Sequence, residues 1–245
     1  MGQVLAVVSG KGGTGKTSLC AAVACQLAAS GQKVLCIDAD VGLRNLDISL
    51  GLSQEPSLPF TAVMSGEYPL SRATVHPKFP SLSFLTAPVT TQPEEIDAPA
   101  FMELLQEAKK DFDFILIDAP AGVGAGFRLA VLWADAAIVV TGSDPAALRD
   151  GARTAQALTA ISQAEARIVV NRIRRKFFRK FRFTVDDCMD TIGLPLLGIV
   201  PEDEAVYLSA AANKPLISSG KKGAQQAARH IALRLMGKKA ALLEL

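Results

Sequence analysis

A short apolar run, Gln3 to Ser9, leads without a spacer into Gly10-Lys11-Gly12-Gly13-Thr14-Gly15-Lys16-Thr17, and an Ala-rich stretch from Lys16 to Ala29 follows at once. No other feature of the 245 residues restricts the fold as strongly. The Val-rich run suits a buried strand and the Ala-rich segment suits a helix. The four glycines between them allow a backbone path that other residues resist. The loop satisfies G-x-x-x-x-G-K-[ST] in the context that motif requires, after a strand and opening a helix. Its N–H groups can then point inward at phosphate oxygens, and the helix N-terminus adds partial positive charge. The motif assigns Gly10, Gly12, Gly13, Thr14 and Gly15 to a phosphate cradle, with Ser18 at the end of the same stretch. Lys16 is expected to reach the β- and γ-phosphates and the Thr17 hydroxyl to ligate Mg²⁺, so ATP or ADP with Mg²⁺ are the expected cofactors.

The rest of the chain repeats the alternation. Lys33 to Asp38, Ser81 to Thr86, Phe112 to Asp118, Ala136 to Thr141, Ile168 to Asn171 and Leu196 to Val200 read as strands. Phe101 to Lys110, Pro145 to Ala160 (capped by Ser143 or Asp144) and Ala224 to Met236 read as helices. Glu55 to Pro99 is Pro-rich and carries the weakest pattern. Aromatics make up only 6% of a chain that is 49% hydrophobic, so Ala, Val, Leu and Ile must fill the core. Together these features predict an α/β fold: one doubly wound, mostly parallel sheet with helices on both faces, in a single domain over 1–245 with a short tail from 236.

Several classes are excluded. No stretch approaches the roughly 18 apolar residues of a membrane span. The N-terminus has no basic region and cleavage pattern of a signal peptide. The four cysteines, at 20, 25, 36 and 188, form no C-x-x-C pair, which speaks against a disulfide framework, a zinc site or a cysteine-held cluster and for a reduced, cytoplasmic protein. With 26 basic against 24 acidic residues, the chain is no global polycation made for nucleic acid.

Three carboxylates belong with the loop. Asp38 and Asp40 stand at and just after the end of the second strand, and Asp118 ends a central one. Ligands of open parallel sheets bind at the carboxyl ends of strands, so the three are expected beside the phosphates, where hard oxygen ligands suit Mg²⁺ and a carboxylate can orient a water. The competing reading for each is a capping or turn aspartate. Lys11 is a cation that an ordinary phosphate loop does not need. It is either a solvated loop charge or a second cation for phosphates, long enough to reach a nucleotide held by a neighbour.

The loop Lys11 to Thr17, in the form K-G-G-x-G-K-[ST], resembles that of the deviant Walker A ATPases, which include the MinD, ParA, ArsA and nitrogenase iron protein families. Gly42-Leu43-Arg44-Asn45-Leu46-Asp47, Asp118 to Gly122, Ile138 to Thr141, Val170 to Arg174 and Gly198 to Val206 are similar to the MinD family in particular, and the likeness runs from about residue 3 to 236. The resemblance implies an ATPase that dimerises around ATP. It makes Lys11 the lysine that crosses to the partner's nucleotide, and Lys16 and Asp40 catalytic, with Asp40 positioning the water. Asp118 then acts on Mg²⁺ through water, Asp38 supports the metal shell, and the loop ending at Gly122 senses the γ-phosphate with its backbone. Asn171 and Arg172 match the family's adenine-contacting pair, and Pro201-Glu202-Asp203 a further base-side loop. The implied role is spatial regulation of division, with a homodimer in the ATP state and a protein effector. Alternatives are a ParA-type partitioning or positioning ATPase on DNA or a protein scaffold, and a nucleotide-gated scaffold of a secretion or pilus apparatus.

The chain departs from the family in three places. The family's R-D-x-D-R reads Arg149-Asp150-Gly151-Ala152-Arg153, with one acid missing from a partner-binding helix. The end, Gly237 to Leu245, is a short apolar tail where the family continues into a basic amphipathic helix. Arg172 to Arg182 holds seven basic residues and no acid, with Phe177, Phe178, Phe181 and Phe183 in and next to it, which leaves 19 basic against 24 acidic residues elsewhere. Either it is a solvated face with phenylalanines packed inward, or it is a site for an anionic surface, a membrane before nucleic acid, which would place the protein peripherally on the inner face of the cell membrane.

Overall fold

The computed structural model describes residues 1–174, 176, 180 and 184–243. The chain opens with β1 (Gln3–Ser9) and α1 (Lys16–Ala29), both with the bounds that the hydropathy predicts. Then come β2 (Val34–Asp38), the short helices α2 (Leu46–Leu50) and α3 (Phe60–Met64), β3 (Thr74–His76) and β4 (Phe79–Leu85). The middle of the chain forms α4 (Ala98–Asp111), β5 (Phe114–Ala121), α5 (Ala125–Leu132), β6 (Ala136–Thr141), α6 (Pro145–Thr159) and β7 (Glu165–Ile173). The last described elements are α7 (Val185–Ile192), β8 (Leu196–Pro201), α8 (Glu204–Ala211) and α9 (Gly223–Leu235).

The strands form one sheet in the order β3-β4-β2-β5-β1-β6-β7-β8. All neighbours are parallel except β3, which runs antiparallel to β4 at one edge. Only Pro77 and Lys78 separate β3 from β4, too few for the crossover that parallel strands need. Alternation along each strand supplies two cores. Val4, Ala6 and Val8 of β1 face a layer that includes Phe60 of α3, Phe101 of α4, Phe127 of α5 and Leu158 of α6. Leu5 and Val7 face α1, α2 and α9. α1 is apolar on every side because it lies between the sheet and two helices, α2 and α9.

The predicted strands are all present, and every predicted helix lies within a few residues of its expected bounds. Of the two candidate caps for α6, Asp144 does the work, its carboxylate accepting from the Ala147 N–H. The elements absent from the sequence reading are short: α2, α3, α5, α7, α8 and β3. Eight residues or fewer are too few for a 3.6-residue period to stand out. In the basic run, Arg175, Phe177, Phe178, Arg179, Phe181, Arg182 and Phe183 lie outside the described residues, as do Glu244 and Leu245 of the tail.

Strand order positions the site. The chain leaves β1 for β2 on one side and later reaches β6 on the other, so the order reverses at β1. The crevice above such a point is where doubly wound sheets bind ligands, and the glycine loop sits in it.

Candidate functional site

The four loop glycines have different reasons to be there. Gly13 and Gly15 have φ of 79° and 83°, the left-handed region. A Cβ on Gly15 would also stand 2.4 Å from Asn171 Nδ2, and one on Gly10 would meet the Asp150 carbonyl of α6 at 2.5 Å. A Cβ on Gly12 would meet nothing within 4 Å, so that glycine leaves open space above the loop.

Lys16 does not lie along the loop. Its Nζ donates to Asp118 Oδ1 at 2.7 Å and reaches Thr17 Oγ1 at 3.3 Å, with both charges buried. Burial pushes the Asp118 carboxyl up, while Lys16 and the Thr17 hydroxyl pull it back. Asp118 Oδ2 and Thr14 Oγ1 are buried without a hydrogen-bond partner. A buried carboxylate oxygen left unpaired next to Thr17 fits a hard cation, as does the choice of oxygen ligands. Thr17 and Asp118 are therefore the residues whose setting suits Mg²⁺.

Asp38 and Asp118 are direct partners in the register of β2 and β5. Asp38 is otherwise engaged. Its Oδ1 accepts from the Asp40 N–H at 3.0 Å and its Oδ2 from the Leu46 N–H at 3.2 Å, so it holds the turn into α2. Burial, with Asp118 adding, pushes its carboxyl up to about 7. Asp40 is half-buried, raised by burial and pulled back by Lys16. Among the described residues, no three acidic, His or Cys side chains form a cage that could hold a metal alone. The expected set of Thr17, Asp38, Asp40 and Asp118 is thus a line of neighbours, and Asp38 serves as the capping aspartate of the competing reading. The Gly122 N–H, expected to face the γ-phosphate, donates to the Ser9 carbonyl at 2.9 Å and extends the pairing of β5 with β1.

The far residues meet the loop from the other side. Asn171 Nδ2 donates to the Thr14 carbonyl at 2.8 Å, and its Oδ1 accepts from the Arg172 N–H. Arg172, at a φ of 57°, donates from Nη1 to the Gly13 carbonyl at 2.9 Å and from Nη2 to Glu202 at 3.3 Å. Arg174 grips the same carboxylate through Nε and Nη2, and the two arginines hold Glu202 below the usual carboxylate range. Asp203 caps α8 through the Ala205 N–H and also accepts from the Ala224 N–H in α9. Ser18, Asn171, Arg172, Pro201, Glu202 and Asp203 line one cleft of about 740 Å³, so the sequence-predicted base-side residues come together. A second cavity of about 690 Å³ opens over Lys11 to Thr14 and the start of α6. There Lys11 Nζ lies 3.7 Å from Asp144, and both side chains are well exposed. The sequence marks Asp144 only as a helix cap, and the structure also sets it beside Lys11. Tyr207 lines the cleft with no local motif to mark it.

Fold and loop together define a phosphate-loop nucleotide-binding protein of the doubly wound α/β class. The model of the CobQ/CobB/MinD/ParA nucleotide binding domain matches residues 5–216, and the chain belongs to that family, on its MinD branch. It is 38% identical over 240 residues to the septum site-determining protein MinD of Synechocystis sp., covering 97% of this chain and 90% of that protein. Among solved structures, it superposes on the MinC:MinD cell division protein complex of Aquifex aeolicus with a TM-score of 0.91, at 33% identity and coverage of 99% and 98%. It superposes on the septum site-determining protein MinD complexed with Mg-ADP from Pyrococcus horikoshii with a TM-score of 0.82, at 28% identity and coverage of 96% of each chain.

Proposed function

We propose that the chain is a Mg²⁺-dependent ATPase of the MinD type, a single ATPase domain that dimerises in the ATP state and helps place the division site through a protein effector. One observation carries the catalytic part: the buried Asp118 carboxylate, with one oxygen on Lys16 and the other without a partner. The Lys16–Asp118 pairing is one that phosphate oxygens would replace. Lys16 would turn from Asp118 to the phosphate oxygens, and Asp118 and Thr17 are the residues that would hold Mg²⁺. Mg²⁺ held there would supply positive charge to offset that of the phosphates. Asp40 orients the attacking water, held in place by the turn that Asp38 caps. The Gly122 N–H exchanges the Ser9 carbonyl for the γ-phosphate. Lys11 leaves Asp144 and reaches the partner's nucleotide; an exposed pair at 3.7 Å is worth under about 1 kcal/mol and is easily exchanged. Asn171 and Arg172 fix the loop from behind while the base lies in the cleft they line.

Nucleotide titration and gel filtration test this reading. Lys16→Ala is expected to lose ATP binding or productive turnover, and Asp40→Ala to elute as a dimer with ATP. An Asp40→Ala monomer under saturating ATP overturns the mechanism. In cells, loss of the gene is expected to misplace septa. Normal septa, together with ATP-dependent retention of the protein on nonspecific DNA, would favour the partitioning role. The basic run supports an anionic surface as the attachment point, with the protein peripheral to the inner face of the membrane.

A further inference from the structure

α8 is an apolar helix that buries little. Its sequence, Glu204-Ala205-Val206-Tyr207-Leu208-Ser209-Ala210-Ala211, has Ser209 as its one buried residue. Asp203, Val206, Tyr207 and Ala210 fall on one side of the helix at spacings of three and four, and all four line the 740 Å³ cleft. The helix is nonetheless held firmly, because Asp203 ties it to both its own first turn and the start of α9. The cleft's other walls are apolar around Leu19, Leu216 and Ala228, and its charged mouth is formed by Arg172, Arg174 and Glu202. Among the described residues, Tyr207 is the only aromatic one lining it, and it is 76% exposed.

We infer that Tyr207 is the base-stacking residue of this cleft: its ring closes over the face of the nucleotide base and makes the site select for a purine. The inference rests on the nucleotide reading above and deepens it. A flat heteroaromatic base needs apolar contact on its faces and hydrogen-bonding groups at its edge. The cleft offers aliphatic walls on one side, carboxylate and guanidinium groups at the mouth, and the aromatic ring of Tyr207 on a braced helix. Stacking grows with ring area, so a purine gains more from Tyr207 than a pyrimidine does. Tyr207 does not line the cavity over Lys11 to Thr14, so phosphate binding there is expected to be independent of it.

Calorimetric titration of the full chain with ATP, CTP and inorganic tripolyphosphate, in Mg²⁺, separates these contributions. Tyr207→Ala is expected to weaken ATP about tenfold, bring the ATP and CTP affinities close together, and leave tripolyphosphate unchanged. Tyr207→Phe keeps the ring and is expected to stay within about twofold of wild type. ATP binding by Tyr207→Ala within twofold of wild type overturns the stacking role alone. Equal losses for ATP and tripolyphosphate also overturn it, since they report damage to the loop. A wild-type chain that binds tripolyphosphate but neither nucleotide overturns the nucleotide reading with it.

Discussion

Lys16 and Asp118 form a buried ion pair in which each charge compensates the other. Removing one partner of a buried ion pair leaves an uncompensated charge and costs about 3–5 kcal/mol, whereas replacing both with apolar groups is often neutral. Lys16→Ala is therefore expected to lower stability in urea unfolding by that order. Lys16→Met with Asp118→Leu should recover most of the loss. The single variant should suffer less as the pH is lowered, because the stranded Asp118, already raised by burial, can take up a proton. The loop glycines separate in the same way. Gly15→Ala meets both a left-handed φ and Asn171, and is expected to lower stability by about 1–3 kcal/mol. Gly12→Ala has free space and should unfold within about 0.5 kcal/mol of wild type, yet on the proposed reading lose nucleotide affinity, since that space would be the ligand's. The motif marks the loop glycines and Lys16, but not the reason for each glycine.

At the scale of elements, two anchors depend on one side chain each. Asp203 caps α8 and reaches α9, so Asp203→Ala should cost about 2 kcal/mol in thermal unfolding, roughly the sum of two caps. In β3, the buried His76 places Nε2 at 3.0 Å from the Leu50 carbonyl, and its Nδ1 accepts from the Lys78 N–H. The ring is thus neutral, and burial lowers its proton affinity. An imidazole with a lowered folded pKa stabilises above its unfolded value, about 6.5, and that contribution is lost as pH falls below it. Wild type should lose stability from pH 7 to 5 more steeply than His76→Gln, measured by urea unfolding at each pH. Neither element was legible beforehand, because β3 is three residues long and α8 eight. α7 carried a readable sign, Thr184 with Asp187 three residues on, which the structure uses as a reciprocal cap.

Across the whole molecule, charge is less concentrated than the sequence suggests. Arg172 and Arg174, two of the seven basic residues in the run, share Glu202, an acid that arrives from the end of β8. Replacing Arg175, Lys176, Arg179 and Lys180 together should abolish ATP-dependent sedimentation with anionic vesicles, and unchanged sedimentation would rule out that surface. The sequence by itself determined β1, the loop and α1, along with the strand–helix alternation, because glycine placement and hydropathy act between near neighbours. The pairings within the site were decided by tertiary structure alone. Lys16 meets Asp118 across 102 residues and Asn171 meets Thr14 across 157, and only the strand order β2-β5-β1-β6-β7 brings them to one crest. Local pattern specifies which segments become strands. Which strands become neighbours, and so which charges are buried together, depends on how two apolar faces are covered at once.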